Sequence, residues 1–210
     1  MPLAAGALLA AVGIVLLLAF LRPAVWVVVG VIALLLLPGR WWRWRTRRFR
    51  RGVRLLERGD ATGAREALTG FLERLDATFE RAQPFFNLGR RYPYAVAAQA
   101  NLGVAHLKLG DIDAALAAFA EALEGEPEWV PALFGRALAL RRYGELTAAE
   151  RSAAAALEAR PGYLAARLLL GLIRRERGDV AGAEAVLRPL KEDGEDVEEL
   201  LGRLERAWEG

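Results

Sequence analysis

One histidine stands in this chain, His106, and there is no cysteine. The missing thiols remove disulfides, thiolate metal sites and a lipidated N-terminal Cys. A single imidazole excludes multi-His metal sites and leaves a His-based triad with one candidate. The sequence supplies neither an evident orienting carboxylate nor a nucleophile beside it. Ser152 and Thr147 read as helix-surface and helix-start residues. Glu57, Glu66 and Glu73 read as parts of solvated helix faces. No Gly-rich phosphate loop and no metal-ligand spacing occurs, and the run from Gly59-Asp60 to Gly63 is turn chemistry. The expectation is therefore no catalytic site, no cofactor, no metal and no enzyme.

The second concentration of chemistry is basic. Residues 40–54 carry Arg40, Arg43, Arg45, Arg47, Arg48, Arg50, Arg51 and Arg54 and no acid. Residues 1–39 carry one charged side chain, Arg22, and the rest of the chain holds more acids than bases. The sequence pI of about 9.7 is thus the product of one short segment. Its core, WWRWRTRRFRR, interleaves arginine with aromatics, which suits phosphates and bases. It equally suits lipid head groups, with Trp41, Trp42, Arg43, Trp44, Arg45, Arg47 and Arg48 at a membrane interface.

What precedes this segment favours the lipid reading. Leu3 to Leu37 is almost wholly apolar and is interrupted by Arg22-Pro23. As one helix it would be ~52 Å long at ~1.5 Å per residue, against a hydrocarbon core of ~30 Å. Proline beside a charge is a natural turn. The expectation is a transmembrane helical hairpin over 1–40, with spans at about 3–21 and 24–40. A cleaved signal peptide competes, but Met1 to Gly6 lacks the basic start. One span followed by a re-entrant segment also competes. The arginines resist translocation, so residues 41–54 form a juxtamembrane segment on the cytoplasmic side of an inner membrane, and the remainder of the chain follows them there.

The elements that would position a binding site are repetitive. Gly110, Gly144 and Gly178 stand 34 residues apart, as do Ala115, Ala149 and Ala183, and Pro127 and Pro161. Ala122-Leu123 recurs as Ala156-Leu157. That period signals stacked helix–turn–helix units. Glycine at the first helix's end can take the left-handed conformation, and Asp111 sits where the next helix start favours an acid. Pro127 prevents extension of the second helix.

The segment NLGVAHLKLGDIDAALAAFAEALEGEP, residues 101–127, resembles the tetratricopeptide repeat. Leu102-Gly103, Gly110-Asp111, Ala115, Phe119, Ala122 and Pro127 stand in that family's order and spacing. Units are read at 96–129 and 130–163, with a repeat-like unit at 164–192. Arg136 stands where Leu is usual, and Pro189 is expected to interrupt the last unit's second helix. A degenerate first repeat spans 52–95, with Gly52, Gly59-Asp60 and Ala64. Gly59 to Gly110 is 51 residues, a repeat plus a 17-residue insertion. Helix is expected to about Gln83, followed over 84–94 by an aromatic loop with Phe85, Phe86, Tyr92 and Tyr94. That loop carries too much aromatic surface for water and should pack on the repeats, shielding their groove or closing its N-terminal end. A capping helix is expected at 194–210, with Val197, Leu200, Leu201, Leu204 and Trp208 at helical spacing.

The resemblance implies an all-α right-handed solenoid whose first helices line a concave groove. Carried over unit by unit, the groove positions are Ala97, Ala100, Val104, Leu107 and Lys108. Phe134, Leu138, Arg141 and Arg142 follow, then Leu168, Leu172, Arg175 and Glu176. The apolar positions among these must also serve helix packing. The surface is apolar with a basic edge and suits an amphipathic or acidic-hydrophobic peptide. Asn101 is a candidate clamp, but Val104 and Leu138 stand where a carboxylate clamp needs polar groups. The expected function is a membrane-anchored scaffold for protein or peptide partners. Self-assembly into a structural array, with a homo-oligomer as the product, is the alternative. A membrane-surface or nucleic-acid binder working through 40–54 is the third reading, with nucleic acid the less favoured target.

Overall fold

The computed structural model describes residues 27–28, 39–86 and 92–209. The chain divides into two compact units, Met1–Arg45 and Thr46–Gly210. In the first, residues 39–45 are helical. Trp41 and Trp42 lie tilted with centroids 6.3 Å apart, and the Arg45 guanidinium sits 5.7 Å over the Trp41 ring. Among the described residues, no helix is long and apolar enough to cross a membrane. This overturns the expected inner-membrane localisation with cytoplasmic repeats, which goes no further. The described helical stretch is short and carries Arg40, Arg43 and Arg45. The expected spans 3–21 and 24–40 lie outside the described residues, apart from Val27, Val28, Gly39 and Arg40.

The second unit is all-α among the described residues. Its helices are α1 (Arg47–Glu57), α2 (Ala61–Leu72), α3 (Ala77–Phe86), α4 (Tyr94–Lys108) and α5 (Ile112–Gly125). Then come α6 (Val130–Tyr143), α7 (Leu146–Ala159), α8 (Leu164–Glu176), α9 (Val180–Glu192) and α10 (Val197–Glu209). The pairs α1/α2, α4/α5, α6/α7 and α8/α9 pack antiparallel, and each pair stacks on the next through its second helix.

Local chemistry sets the breaks. Gly59, Gly110, Gly144 and Gly178 all have positive φ, at 81°, 79°, 91° and 82°. Asp60, Asp111 and Asp179 then cap the following helix, accepting from the backbone N–H of Gly63 (2.8 Å), Ala114 (3.2 Å) and Gly182 (2.9 Å). Glu145 occupies the same place before α7 without such a bond.

Packing between repeats centres on Phe119. This ring, on α5, is fully buried. A Cβ on Gly103 of α4 would lie 2.6 Å from it, and one on Gly135 of α6 would lie 2.3 Å away. Both flanking backbones therefore approach one aromatic ring at a distance that only glycine permits. The same 16-residue offset pairs Gly52 with Leu68 and Gly171 with Leu187, where a Cβ on the glycine would fall 2.6 and 2.7 Å from the leucine side chain. In the middle repeat the equivalent positions are Ala137 and Ala153, both fully buried. One residue earlier, Arg136 replaces the usual leucine. Its Nε donates to the buried Ser152 hydroxyl at 3.1 Å, and burial pushes the guanidinium pKa down.

The insertion does not disturb the stack, because α2 still packs directly on α4. Instead of one helix running to Gln83, the chain turns after Leu72 and restarts at α3. There the Asp76 carboxylate accepts from the Phe79 N–H at 2.8 Å. Helix α3 continues through Pro84 to Phe86, beyond the expected loop start. Tyr92 and Tyr94 join Phe49, Phe71 and Phe79 in an aromatic cluster, with Tyr94 5.3 Å from Phe49 and 5.4 Å from Phe79. Gln83 is buried and its Oε1 accepts from the Tyr92 N–H at 3.0 Å. Tyr92 also meets Trp129, centroids 6.4 Å apart, at the start of α6. Helix α9 runs through Pro189 to Glu192, so the expected interruption does not occur. So close to the helix end, the proline removes one late hydrogen bond without breaking the helix.

Two outcomes follow. Gly135→Ala destabilises the protein by about 1–3 kcal/mol in urea unfolding, and Phe119→Leu added to it recovers part of that loss, giving a coupling of about 1 kcal/mol. Strict additivity of the pair would show that the ring does not fill this joint. Gly144→Val, which forces a β-branched residue to positive φ, destabilises by about 1–3 kcal/mol. An unchanged urea midpoint for that variant would place the turn elsewhere.

Candidate protein-binding groove

The first helices α4, α6 and α8 lie side by side and their ends are tied differently. At their C-terminal ends, Arg142 Nη1 donates to the Leu107 carbonyl at 2.9 Å. Arg141 Nε donates to both Glu176 carboxylate oxygens, at 2.8 and 3.1 Å. At their N-terminal ends the ties are aromatic: Tyr92 against Trp129, and Phe134 against Tyr163 at 5.5 Å. Burial raises the Tyr163 and Tyr92 hydroxyl pKa values.

The candidate groove residues separate into two groups. Ala97, Ala100, Leu107 and Leu138 are buried in helix packing, and Val104 packs against the same core. They shape the face from beneath. Arg142 is committed to the Leu107 carbonyl. The second group carries contacts from α10. Phe134 meets Trp208, centroids 5.8 Å apart. Lys108 Nζ lies 5.4 Å over the Trp208 ring. Arg141 Nη2 is 3.6 Å from Glu205 Oε1. Leu168 and Leu172 share an apolar cluster with Val197 and Leu201. Arg175 pairs with Glu198, its Nη1 donating at 3.1 Å and its Nη2 more closely. The Arg175 guanidinium holds the Glu198 carboxyl below its ordinary pKa.

Sequence reasoning found α10 as a helix but missed this placement. Its apolar stripe shows only that one face must be covered. At every earlier joint, the second helix of a pair packs extensively on the first helix of the next. At the last joint α10 packs chiefly on α8 and only slightly on α9. It is displaced from the stacking position toward the first helices, and its distal end reaches α6 and α4.

The remaining candidates are accounted for. Asn101 Nδ2 donates to the Ala97 carbonyl of its own helix at 2.7 Å, so its amide is turned away from a clamp role. His106 Nδ1 is 3.5 Å from Asp111 Oδ2, a neighbour not evident from the sequence. The other Asp111 oxygen caps α5. Arg47 and Arg48 belong to α1, where Arg48 Nη1 donates to the Gly70 carbonyl at 3.3 Å. With Arg51, Gly63, Glu66 and Ala67 they line a cavity of about 220 Å³. Thr46 and Phe49 are buried, while Arg47, Arg50, Arg51 and Arg54 are exposed.

The stacked pairs define an α-solenoid repeat protein. The tetratricopeptide repeat family model matches residues 49–128 and 134–196, more than half of the chain, and the chain belongs to that family. A solved tetratricopeptide repeat protein from Parabacteroides merdae is similar, with 22% identity and a TM-score of 0.57, over 77% of this chain and 59% of that one. MamA is similar, with 19% identity and a TM-score of 0.54, over 72% of this chain and 77% of its own. At such identities the likeness is one of fold. No curated protein matches the sequence significantly.

The Arg175–Glu198 pair sets a pH expectation. The Glu198 carboxyl is depressed in the folded state, so the pair's contribution is present above the ordinary carboxylate pKa of 4.5. It is lost as pH falls through the lower, folded value. An NMR titration of the Glu198 carboxyl should show a midpoint below 4.5, moving back up in Arg175→Ala. A midpoint already at the ordinary value in the unaltered protein would mean the pair does not hold in solution.

Proposed function

We propose that the chain is a protein-interaction scaffold whose concave face, formed by α4, α6 and α8, receives a peptide segment of a partner. One observation supports it above the rest. Lys108, Arg141 and Arg175 stand on three successive first helices beside Phe134, Leu168 and Leu172. Cations in a row beside an apolar floor fit a helix that carries acids along one flank and apolar residues on the adjoining face. The repeat architecture adds to this, since such stacks present extended concave surfaces. The cations give the face direction and register more than raw affinity.

The test uses the full-length protein in a crosslinked capture. Phe134→Asp is unsuitable, because Phe134 is 4% exposed and a buried charge there would unfold the repeat. Lys108→Glu combined with Arg175→Glu is the better probe, since both side chains reach solvent. The double variant should recover a verified partner at least about tenfold less efficiently, with unchanged helical circular dichroism. Equal recovery would move the binding surface off the concave face.

A further inference from the structure

Helix α10 has the chemistry that the groove selects. Its sequence VEELLGRLERAWE carries Glu198, Glu199 and Glu205 together with Val197, Leu200, Leu201, Leu204 and Trp208. Each open part of the groove meets one of these. Arg175 takes Glu198, Arg141 takes Glu205, and Phe134 and Lys108 take Trp208. The turn that delivers α10 is tight: Gly194 has φ 82°, and the Glu195 N–H donates to the Leu190 carbonyl at 3.0 Å. The helix is therefore folded back within its own chain.

The two halves of α10 are held unequally. Val197 and Leu201 are buried, 4% and 3% exposed, in a cluster with Leu168, Leu172 and Leu187. Beyond Gly202, Leu204 and Trp208 are only half-buried, and Glu205 meets Arg141 at 3.6 Å. A glycine at the junction weakens the helix there relative to alanine. The proximal half seals the last repeat. The distal half crosses the groove on weaker contacts.

Resting on the scaffold reading above, we propose that the distal half of α10 is a displaceable internal ligand. The partner is then a segment of another protein with the same pattern, an acidic amphipathic helix bearing an aromatic residue that takes the place of Trp208. Charge complementarity and the seated helix specify this occupant. Binding in trans requires release of residues 202–209, so the apparent affinity is lowered by the fraction of molecules in which the groove is closed.

The experiment measures fluorescence anisotropy of a labelled peptide of residues 195–210 titrated with full-length protein. The unaltered protein should bind it weakly. Trp208→Ala in the protein should strengthen binding at least about tenfold by opening the groove. Gly202→Ala should weaken it, because a stiffer helix holds the groove closed. A Cβ there meets only the mobile end of Arg206, at 3.2 Å, so this variant keeps the fold. A peptide with Glu205 changed to Gln should bind more weakly, since that carboxylate is the one the released half presents to Arg141. Affinity equal in all three proteins, or indifferent to Glu205, overturns the proposal. So does a mass that rises with concentration in the unaltered protein and returns to monomer in Trp208→Ala, which would give the groove to a second copy. If the peptide binds as expected while Lys108→Glu/Arg175→Glu still recovers the partner, the scaffold reading fails. If the double variant loses the partner but the peptide neither binds nor competes, only the internal-ligand proposal fails.

Discussion

The stack depends on one constraint, the distance at which a second helix lets two first helices pass its largest side chain. Phe119 sets that distance for the middle of the protein, wedged against the glycine backbones of α4 and α6. Dispersion contacts of such a ring are numerous only when its neighbours close on it from all sides. Glycine on both sides permits that closure. Where the ring is absent, at Ala153, an alanine, Ala137, stands in the glycine's place. The energetic unit is thus the joint between repeats, not the repeat itself. This fits the general behaviour of solenoids, whose stability lies largely in nearest-neighbour interfaces.

That constraint also explains how an insertion survives within the array. Helix α3 leaves the stack after α2, and α4 returns to pack on α2 as if nothing intervened. Of the aromatic residues that look excessive for a loop, Tyr92 and Tyr94 line the re-entry point. Tyr94 is inserted among Phe49, Phe71 and Phe79, and Gln83 secures the backbone at Tyr92. The two tyrosines help to close the first joint, with Tyr92 next to Trp129.

Much of the fold was legible, for a physical reason. Turns and close approaches depend on residues with narrow tolerances, and those recur with the period: the glycines at positive φ and the aspartates that cap. The features that escaped lack such local signatures. Helix α1 begins at Arg47, but its pattern of Phe49, Gly52, Val53 and Leu56 is hidden among arginines. Pro84 and Pro189 read as breaks, yet each lies close enough to a helix end to be carried. In the groove, the cations and Phe134 could be placed by their register. What could not be read was which apolar positions lie under the surface, because alanine and leucine serve packing and docking equally. Nor could the covering of the groove by α10 be read, since that contact joins Trp208 to residues about a hundred positions earlier.

The unlike ties at the two ends of the first helices bear on how the concave face can deform. Guanidinium hydrogen bonds to a carbonyl and a carboxylate are directional and short, and they lose most of their strength if a helix end slides. Edge-to-face aromatic contacts tolerate sliding and rotation with little loss. The row of helices therefore behaves as a fan riveted along one edge and greased along the other. Any change of curvature must be taken up at Tyr92, Trp129, Phe134 and Tyr163, while the edge held by Arg141 and Arg142 keeps its spacing. A groove built in this way widens toward one side only, and it meets whatever enters it with a fixed rim and an adjustable one.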